Sequence, residues 1–112
     1  MFKIEAYLRP SALESVQKAL GEIGIAGMSV TEIRGFGRQR GHREVYRGAE
    51  YRIDFVPKIK VEVVVKDADK DGAINAIVEA AKSGKVGDGK VFAALVDTAV
   101  RIRTGEAGES AL

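Results

Sequence analysis

Two stretches in which apolar and polar residues alternate set the strongest limit on how this chain folds. The first covers residues 2–9 and the second covers residues 59–65. A period of two places successive side chains on opposite faces of a strand, so each stretch predicts a strand with one buried face. A third stretch, from about Met28 to Phe36, is rich in β-branched residues and predicts another strand.

Between the predicted strands of residues 2–9 and 28–36, the spacing of the apolar residues changes to that of a helix. The apolar stripe of this segment consists of Leu13, Val16, Leu20 and Ile23. Ser11 and Glu14 have the spacing of a capping box, in which each side chain satisfies a free backbone N–H at a helix start. Gly24 suits the end of the helix, because glycine tolerates the left-handed backbone that often follows a last turn.

A second helical segment follows the strand of residues 59–65. Its apolar stripe consists of Ile74, Ile77, Val78 and Ala81. Asp67 or Asp69 is placed to cap its start, and Gly84 is placed to end it. A last strand is predicted from Val91 to Val96. The order β-α-β-β-α-β predicts an α+β fold of the ferredoxin-like type, with two helices on one face of a four-stranded sheet.

The last predicted strand, Val91–Val96, is apolar on both faces, as expected of a fully buried strand. A chain of 112 residues forms a single domain and buries only a modest share of its surface. We therefore expect the sheets of neighbouring subunits to provide a second cover for this strand.

Composition restricts the function classes. The chain is 46% hydrophobic and 30% charged, with a formal net charge of only +2, which disfavours a nucleic-acid binder. It has no cysteine, so it has neither disulfides nor thiolate metal sites, and the single histidine, His42, cannot form a zinc site alone. No apolar run is long enough to span a membrane and the N-terminus does not read as a secretory signal, so we expect a cytoplasmic protein without membrane insertion.

The apolar pattern disappears from Gly37 to Asp54. This segment contains five arginines, three acidic residues and three glycines. Loops of this length in compact domains are usually functional or disordered. Both interpretations remain open for this segment at this point.

The tract Gly84–Lys90 has the G-x-x-x-x-G-K spacing of a P-loop but lacks the following Ser or Thr, since Val91 comes next. It also lies between a helix and a strand, which is the reverse of the P-loop context. Two interpretations remain open: a glycine turn into the strand, or a loop whose backbone N–H groups converge on an anion with Lys90 as the counter-charge.

Two further basic tracts need interpretation. Gly35–Gly41 approaches a dinucleotide-binding fingerprint, but it has one residue too many and leads into a loop, so a dinucleotide fold is rejected. Arg101 and Arg103 are predicted to project from one side of an extended segment. They either form a solvated basic edge or bind phosphate oxygens with their forked guanidinium groups.

The hexapeptide Tyr46–Tyr51 and the segment Gly84–Phe92 resemble the two signatures of the PII family of nitrogen-signalling proteins. Residues 35–39 and 101–106 look like the remaining glycine-rich and C-terminal elements of that family, and the register holds across essentially the whole chain. The resemblance implies a homotrimer of ferredoxin-like subunits with three named loops. These are the T-loop at 37–54, the B-loop at 83–90 and the C-terminal loop at 101–108.

The resemblance also implies that ATP or ADP binds in each cleft between subunits. Gly87, Asp88, Gly89 and Lys90 would hold the phosphates from one side. Arg101 and Arg103 would reach them from the neighbouring subunit, and Arg38 would approach the terminal phosphate. The rest of the nucleotide cleft would be lined by Ser29, Gly35, Gly37 and Val64.

By the same resemblance, Gln39 would coordinate Mg²⁺ beside bound 2-oxoglutarate. Lys58 would pair with the distal carboxylate, with the Gly41 backbone and Gly87 nearby. A divalent cation makes chemical sense there, because the keto acid and a triphosphate would otherwise repel each other.

The loop at 37–54 would then contact target proteins, in a conformation set by the bound ligands. In relatives, Tyr51 is a site of nucleotidylylation, whereas Ala49 lacks the hydroxyl that some relatives phosphorylate. The implied partners are an ammonium transporter, a nucleotidylyltransferase or enzymes of nitrogen metabolism. The implied activity is regulation without catalysis.

Two other function classes were weighed. A ferredoxin-like module that binds RNA requires exposed aromatic residues on its strands, and the strand of residues 59–65 provides none. A small phosphotransferase requires a nucleophile with a base, and no such pairing is visible in the sequence. We therefore expect a regulator that does not bind nucleic acid.

Overall fold

The computed structural model describes residues 1–35, 43–46, 49–52 and 55–112. The helices are α1 (Leu13–Glu22) and α2 (Lys70–Ala81). The strands are β1 (Phe2–Leu8), β2 (Ser29–Gly35), β3 (Arg43–Tyr46), β4 (Ala49–Arg52), β5 (Val56–Val65) and β6 (Gly89–Leu95).

Four of these strands form one antiparallel sheet in the order β2-β5-β1-β6. The predicted α+β architecture with two helices and four strands is confirmed. Strands β3 and β4 form a separate antiparallel pair within the segment predicted as a loop, with Arg43 opposite Arg52 and Tyr46 opposite Ala49. The sequence pattern predicts a loop without strands there, so this pair is a correction.

The core lies between the helices and one face of the sheet. It is built from alternate residues of β1 and β5 and from the apolar stripes of α1 and α2, as the two periods predict. Its buried members are Ile4, Ala6, Leu8, Val16, Leu20, Ile59, Val61, Val63, Val65, Ala73 and Ile77. The opposite side of the sheet, which carries Lys3, Glu5, Tyr7, Lys60, Glu62, Val64 and Phe92, is called the open face below.

The predicted capping bonds are absent at the starts of both helices, both of which lie in the described residues, although Asp69 does occupy the N-cap position of α2. Ser11 lies within a 3-10 turn, Pro10–Ala12. Ala12 therefore occupies the N-cap position of α1, where no side chain accepts a capping hydrogen bond. A second 3-10 turn, Asp67–Asp69, precedes α2, and the Asp69 side chain accepts no capping bond. Each helix is instead entered through a 3-10 turn, in which i to i+3 bonds satisfy part of the exposed backbone.

Of the two predicted helix ends, the one at Gly24 agrees with the structure and the one at Gly84 does not. Gly24 follows the last turn of α1, and its N–H donates to the Gly21 carbonyl at 3.0 Å. Helix α2 ends at Ala81, and Lys82 is already extended, so Gly84 lies in the following loop and does not end the helix. The polar Lys82–Ser83 pair starts the loop before the glycine is reached.

Among the described strands, β6 lies at the edge of the sheet and pairs with β1 alone. Phe92 is 50% exposed and Leu95 is 79% exposed. The prediction of a fully buried strand therefore fails within one chain, because no element of the described residues covers Phe92 and the open face.

The segment after β6 is a turn rather than an extended strand. The Gly105 N–H donates to the Arg101 carbonyl, and the Arg101 N–H donates to the Glu106 carbonyl, each at 2.8 Å. The prediction that Arg101 and Arg103 project from one side of an extended segment is therefore wrong. In the residues that the structure describes, no helix is both long and apolar enough to cross a membrane.

Candidate functional site

A cleft of about 1060 Å³ opens beside the loop of residues 83–88, where it meets the end of β2 and the starts of β5 and β6. Six of the predicted site residues line it: Gly35, Lys58, Gly87, Asp88, Gly89 and Lys90. Residues 83–90 were predicted to form an anion-binding loop, and the fold brings them next to Lys58 from a different part of the chain. The cleft therefore combines a glycine loop with three lysines, Lys58, Lys85 and Lys90.

The Asp88 carboxylate organises the loop from inside. Its Oδ2 accepts the Ser83 N–H at 2.8 Å and the Gly84 N–H at 2.9 Å, and its Oδ1 accepts the Ser83 hydroxyl. These bonds, led by the one from the Ser83 hydroxyl, lower the pKa of Asp88 from 3.8 to about 2. At neutral pH an ionised Asp88 thus fixes both ends of the loop.

Two cations hold the outer carbonyls of the same loop. Arg9 donates from Nη2 to the Val86 carbonyl at 2.5 Å and from Nε to Asp88 Oδ1 at 3.4 Å. Lys58 donates from Nζ to the Gly87 carbonyl at 2.7 Å. Burial, and then the nearby charge of Arg9, lower the pKa of Lys58 below its usual value.

Within the described part of the chain the Gly87 N–H has no acceptor, and the Asp88 N–H makes only the weak contact with the Lys85 carbonyl that closes the turn at residues 86–87. Gly87 has a φ of 100°, a conformation that glycine adopts without strain and that lets successive N–H groups converge. Lys90 lines the same cleft. Such amides beside a cation are chemically suited to an anion such as a phosphate.

Other predicted residues lie elsewhere in this single chain. Ser29 and Val64 do not line the cleft, although both belong to strands of the sheet. Arg101 donates to Glu106 Oε1 and to the Leu112 carbonyl, at 3.2 Å and 3.1 Å. Arg103 lies in the exposed turn, outside the cleft lining. The single chain therefore does not bring the two arginines to the glycine loop.

Four predicted site residues, Gly37, Arg38, Gln39 and Gly41, lie outside the described residues, as does His42. The predicted modification site, Tyr51, lies in β4 opposite Glu44. In the part of the chain that the structure describes, no three His, Cys, Asp or Glu side chains group as a metal site.

An aromatic pair on the open face was missed. The rings of Tyr7 and Phe92 meet edge to face with centroids 5.6 Å apart, and both line the cleft. The strand of residues 59–65 carries no aromatic residue, but the expectation that the sheet has no aromatic pair is wrong, because Tyr7 on β1 and Phe92 on β6 provide one. The Tyr7 hydroxyl donates to Glu5 at 3.3 Å, so an acidic group lies beside the aromatic pair.

Arg9 and Ser83 were also missed as site residues. Arg9 is separated from Val86 by 77 positions, so no local pattern connects them. Its place at the end of a predicted strand was the available signal, because strand ends gather at one edge of a sheet. Ser83 could have been found as a short polar partner for Asp88 across a glycine turn.

Comparison with known proteins decides the family. Residues 1–106 match the family model described as "Nitrogen regulatory protein P-II". The chain belongs to the P-II family. The resemblance expected from the two signatures is therefore confirmed, and it covers nearly the whole chain.

Curated P-II relatives match over their full length. The nitrogen regulatory protein P-II of Haemophilus influenzae is 57% identical over 112 residues, with 100% of both chains covered. Nitrogen regulatory protein P-II 1 of Escherichia coli K12 is 52% identical, again with full coverage of both. These P-II relatives are named as regulatory proteins, which places the chain in a family of nitrogen regulators.

A solved P-II structure has the same fold. The crystal structure of Arabidopsis thaliana PII bound to citrate matches with a TM-score of 0.79 and 39% sequence identity. The match covers 97% of this chain and 86% of that one. The ferredoxin-like P-II fold is therefore supported by both sequence and structure.

Proposed function

We propose that this chain is a non-enzymatic signal-transduction regulator of nitrogen metabolism that binds ATP or ADP together with 2-oxoglutarate. The observation that carries the proposal is the glycine loop that presents the N–H groups of Gly87 and Asp88 beside Lys90, in a chain of the P-II family. The nucleotide phosphates bind at this loop. Backbone N–H groups and a lysine favour phosphate oxygens through charge-assisted hydrogen bonds.

The nucleotide site is completed by a second subunit. The guanidinium groups of Arg101 and Arg103, which lie outside the cleft lining of their own chain, reach the phosphates bound by a neighbour. Arg38 approaches the terminal phosphate. The remaining contacts to the nucleotide come from Ser29, Gly35, Gly37 and Val64. This arrangement requires a homotrimer, which also covers Phe92 and the open face.

The second effector is 2-oxoglutarate. Lys58 lines the cleft and is already within 2.7 Å of the Gly87 carbonyl, so a carboxylate that enters beside Gly87 finds a cation there. Gln39 and Gly41 complete this site, and Gln39 coordinates a Mg²⁺ ion that supplies charge between the phosphates and the keto acid. The Arabidopsis relative is bound to citrate, a polycarboxylate, which supports a site of this chemistry in the family.

The output of the regulator is the T-loop at 37–54. Its strands β3 and β4 pair with each other and belong to a sheet separate from the core sheet, so they are not fixed by the core. Ligand binding beside Gly37–Gly41 changes the loop and thereby its affinity for targets, by the linkage that all allosteric coupling obeys. The targets are an ammonium transporter, a nucleotidylyltransferase or enzymes of nitrogen metabolism, and Tyr51 is the candidate site of nucleotidylylation.

The test is a calorimetric titration of 2-oxoglutarate into the protein in three states: without nucleotide, with Mg-ADP and with Mg-ATP. We expect tight binding only with Mg-ATP, because the terminal phosphate holds the metal that screens the keto acid. Equal affinity in all three states would show that the sites are uncoupled. A parallel titration with single-stranded RNA serves as the control for the Tyr7–Phe92 pair, and we expect no binding there.

A further inference from the structure

We infer that Arg9 and Lys58 are positioning residues that aim the N–H groups of Gly87 and Asp88 at a bound phosphate, by holding the carbonyl groups on the other side of the same peptide units. The inference rests on the proposed nucleotide function. It adds a role to Arg9, which is absent from the site predicted above, and a second role to Lys58.

The geometry of the peptide unit carries the first step. In a trans peptide, the carbonyl of one residue and the N–H of the next lie on opposite sides of the C–N bond. All peptide bonds of the described residues are trans. Arg9 binds the carbonyl of Val86, so the N–H of Gly87 is directed away from Arg9.

The same relationship holds one peptide further. Lys58 binds the carbonyl of Gly87, so the N–H of Asp88 is directed away from Lys58. Arg9 and Lys58 follow the buried Leu8 and precede the buried Ile59, which pair with each other across β1 and β5. Both cations therefore approach the loop from the same end of the sheet.

Two consecutive carbonyls held on one side leave two consecutive N–H groups on the other. Ordinary extended backbone alternates these directions, and the positive φ of Gly87, at 100°, permits the exception. Among the described residues the Gly87 N–H has no acceptor, and the Asp88 N–H has only the weak turn contact with the Lys85 carbonyl, which a bound anion can replace. The result is a concave pair of donors beside Lys90, prepared before the ligand arrives.

Asp88 supports the arrangement from inside the loop. Its carboxylate binds the N–H groups of Ser83 and Gly84 and faces Arg9 Nε at 3.4 Å. The carboxylate is thereby held by the loop and by Arg9 instead of facing the anion, which it would repel. Arg9 thus contacts both the Val86 carbonyl and the one acidic side chain of the loop.

The experiment compares Arg9→Gln and Lys58→Met in the full-length protein, with Lys85→Gln as the matched control. Lys85 lies in the same loop and lines the cleft, but its side chain makes no hydrogen bond or ion pair with any described residue. Lys85→Gln removes one positive charge, as the other two substitutions do, but it releases no backbone carbonyl. Backbone amide NMR shifts and hydrogen exchange are measured without ligand, and ADP affinity is measured by calorimetry.

Each variant has a distinct expected signature. Arg9→Gln should shift the amide of Gly87 most, and Lys58→Met should shift that of Asp88 most, because each releases the carbonyl of that peptide unit. Both should weaken ADP binding by about tenfold, the effect of one charge-assisted hydrogen bond, whereas Lys85→Gln should weaken it less. Arg9→Lys, which restores the charge and one donor, should recover part of the affinity.

The inference is overturned if the ligand-free amide shifts of Gly87 and Asp88 are unchanged in both variants, or if ADP binds them no more weakly than it binds Lys85→Gln. A wild-type protein that binds no ADP would instead overturn the proposed nucleotide function. The ligand-free spectra would then still decide whether the two cations orient the loop. Because Arg9 and Lys58 act on separate peptide units, one well-folded variant is enough for the decision.

Discussion

Gly89 lies so close to the backbone of Tyr7 that a Cβ atom added to it would stand 1.6 Å from the Tyr7 carbonyl oxygen. Gly89 begins β6 at the point where β6 meets β1, with Leu8 as its register partner. Its φ of 108° is also unfavourable for any residue with a side chain. This contact fixes where the glycine loop ends and where Lys90 enters the cleft.

Replacement of this glycine should therefore be costly for two reasons. Gly89→Ala should lower the free energy of unfolding by on the order of 3 kcal/mol, through backbone strain together with displacement of β1. Gly84→Ala is the matched control, since Gly84 also has a positive φ, at 84°, but a Cβ there would meet nothing within 4 Å. Its cost should be about 1 kcal/mol from strain alone. Equal values from chemical denaturation would contradict a role for the contact with Tyr7.

Acid should weaken the hydrogen bonds that the Asp88 carboxylate accepts within the loop, at the pH where this carboxylate takes up a proton. Its folded-state pKa of about 2 lies below its ordinary 3.8, so the ionised carboxylate stabilises the loop above pH 3.8 and this contribution is lost as the pH falls toward 2. The amide shifts of Ser83 and Gly84 should follow this titration. In Asp88→Asn they should not titrate in this range. A midpoint near 3.8 in the wild type would show that the loop bonds do not favour the charged form.

As the pH rises, binding of 2-oxoglutarate should weaken at a lower pH than it would if Lys58 had the pKa of an ordinary lysine. Burial lowers the pKa of Lys58 below 10.5, so its positive charge is present at neutral pH and is lost as the pH rises through that lowered value. A paired carboxylate should raise the pKa again, so binding should take up protons in this range. Calorimetry in buffers of different ionisation enthalpy measures that uptake. Lys58→Arg keeps its charge in alkali and should remove both the proton uptake and the pH dependence.

The two arginines of the C-terminal turn should differ in how their loss affects the protein. Arg103→Ala should weaken ATP binding by about 1–3 kcal/mol, the range for a hydrogen bond to a charged group, while leaving the fold intact. Arg101→Ala should in addition loosen the turn, because Arg101 is bonded to Glu106 and to the Leu112 carbonyl. Calorimetry with ATP, and thermal unfolding as the measure of the fold, separate the two effects. Unchanged ATP affinity in a well-folded Arg103→Ala would remove that residue from the proposed site.

The sequence predicted strands best where alternate residues of a strand pack against the core. Residues 2–9 and 59–65 alternate because one side of β1 and β5 packs on the helices, so their strands were predicted correctly. Strands β3 and β4 were missed because they form a pair of their own, outside the sheet whose burial produces such a period. The helix starts were mistaken because Pro10 favours a tight 3-10 turn, which took the place of the predicted cap at Ser11.

The site was predictable to the extent that it is local. The glycines and Lys90 lie in one short tract, so residues 84–90 stood out in the sequence, and the family resemblance then implied a loop over residues 83–90. Its supports are not contiguous: Arg9 comes from the end of β1, and Phe92 meets Tyr7 only because β6 pairs with β1. Contacts of this kind depend on which strands become neighbours, and that information is absent from a short motif.

Trimer formation should depend on the open face. Phe92 is 50% exposed on the edge strand β6, and Val64 is 38% exposed on β5. The charged residues beside them are already paired within the chain, with Lys3 and Lys60 at 3.5 Å and 3.0 Å from Glu62, so the face can be covered without leaving Glu62 unpaired. We expect the wild type to have three times the 12.0 kDa mass of one chain, and Phe92→Asp to dissociate it, because an unpaired carboxylate would be buried in the contact.

Val78→Asp is the matched control, since Val78 is 40% exposed but lies on α2, on the other side of the sheet. Light scattering at micromolar concentration measures all three masses. A monomeric wild type would overturn both the trimer and the nucleotide site shared between subunits, whereas a trimeric Phe92→Asp would move the interface away from the open face.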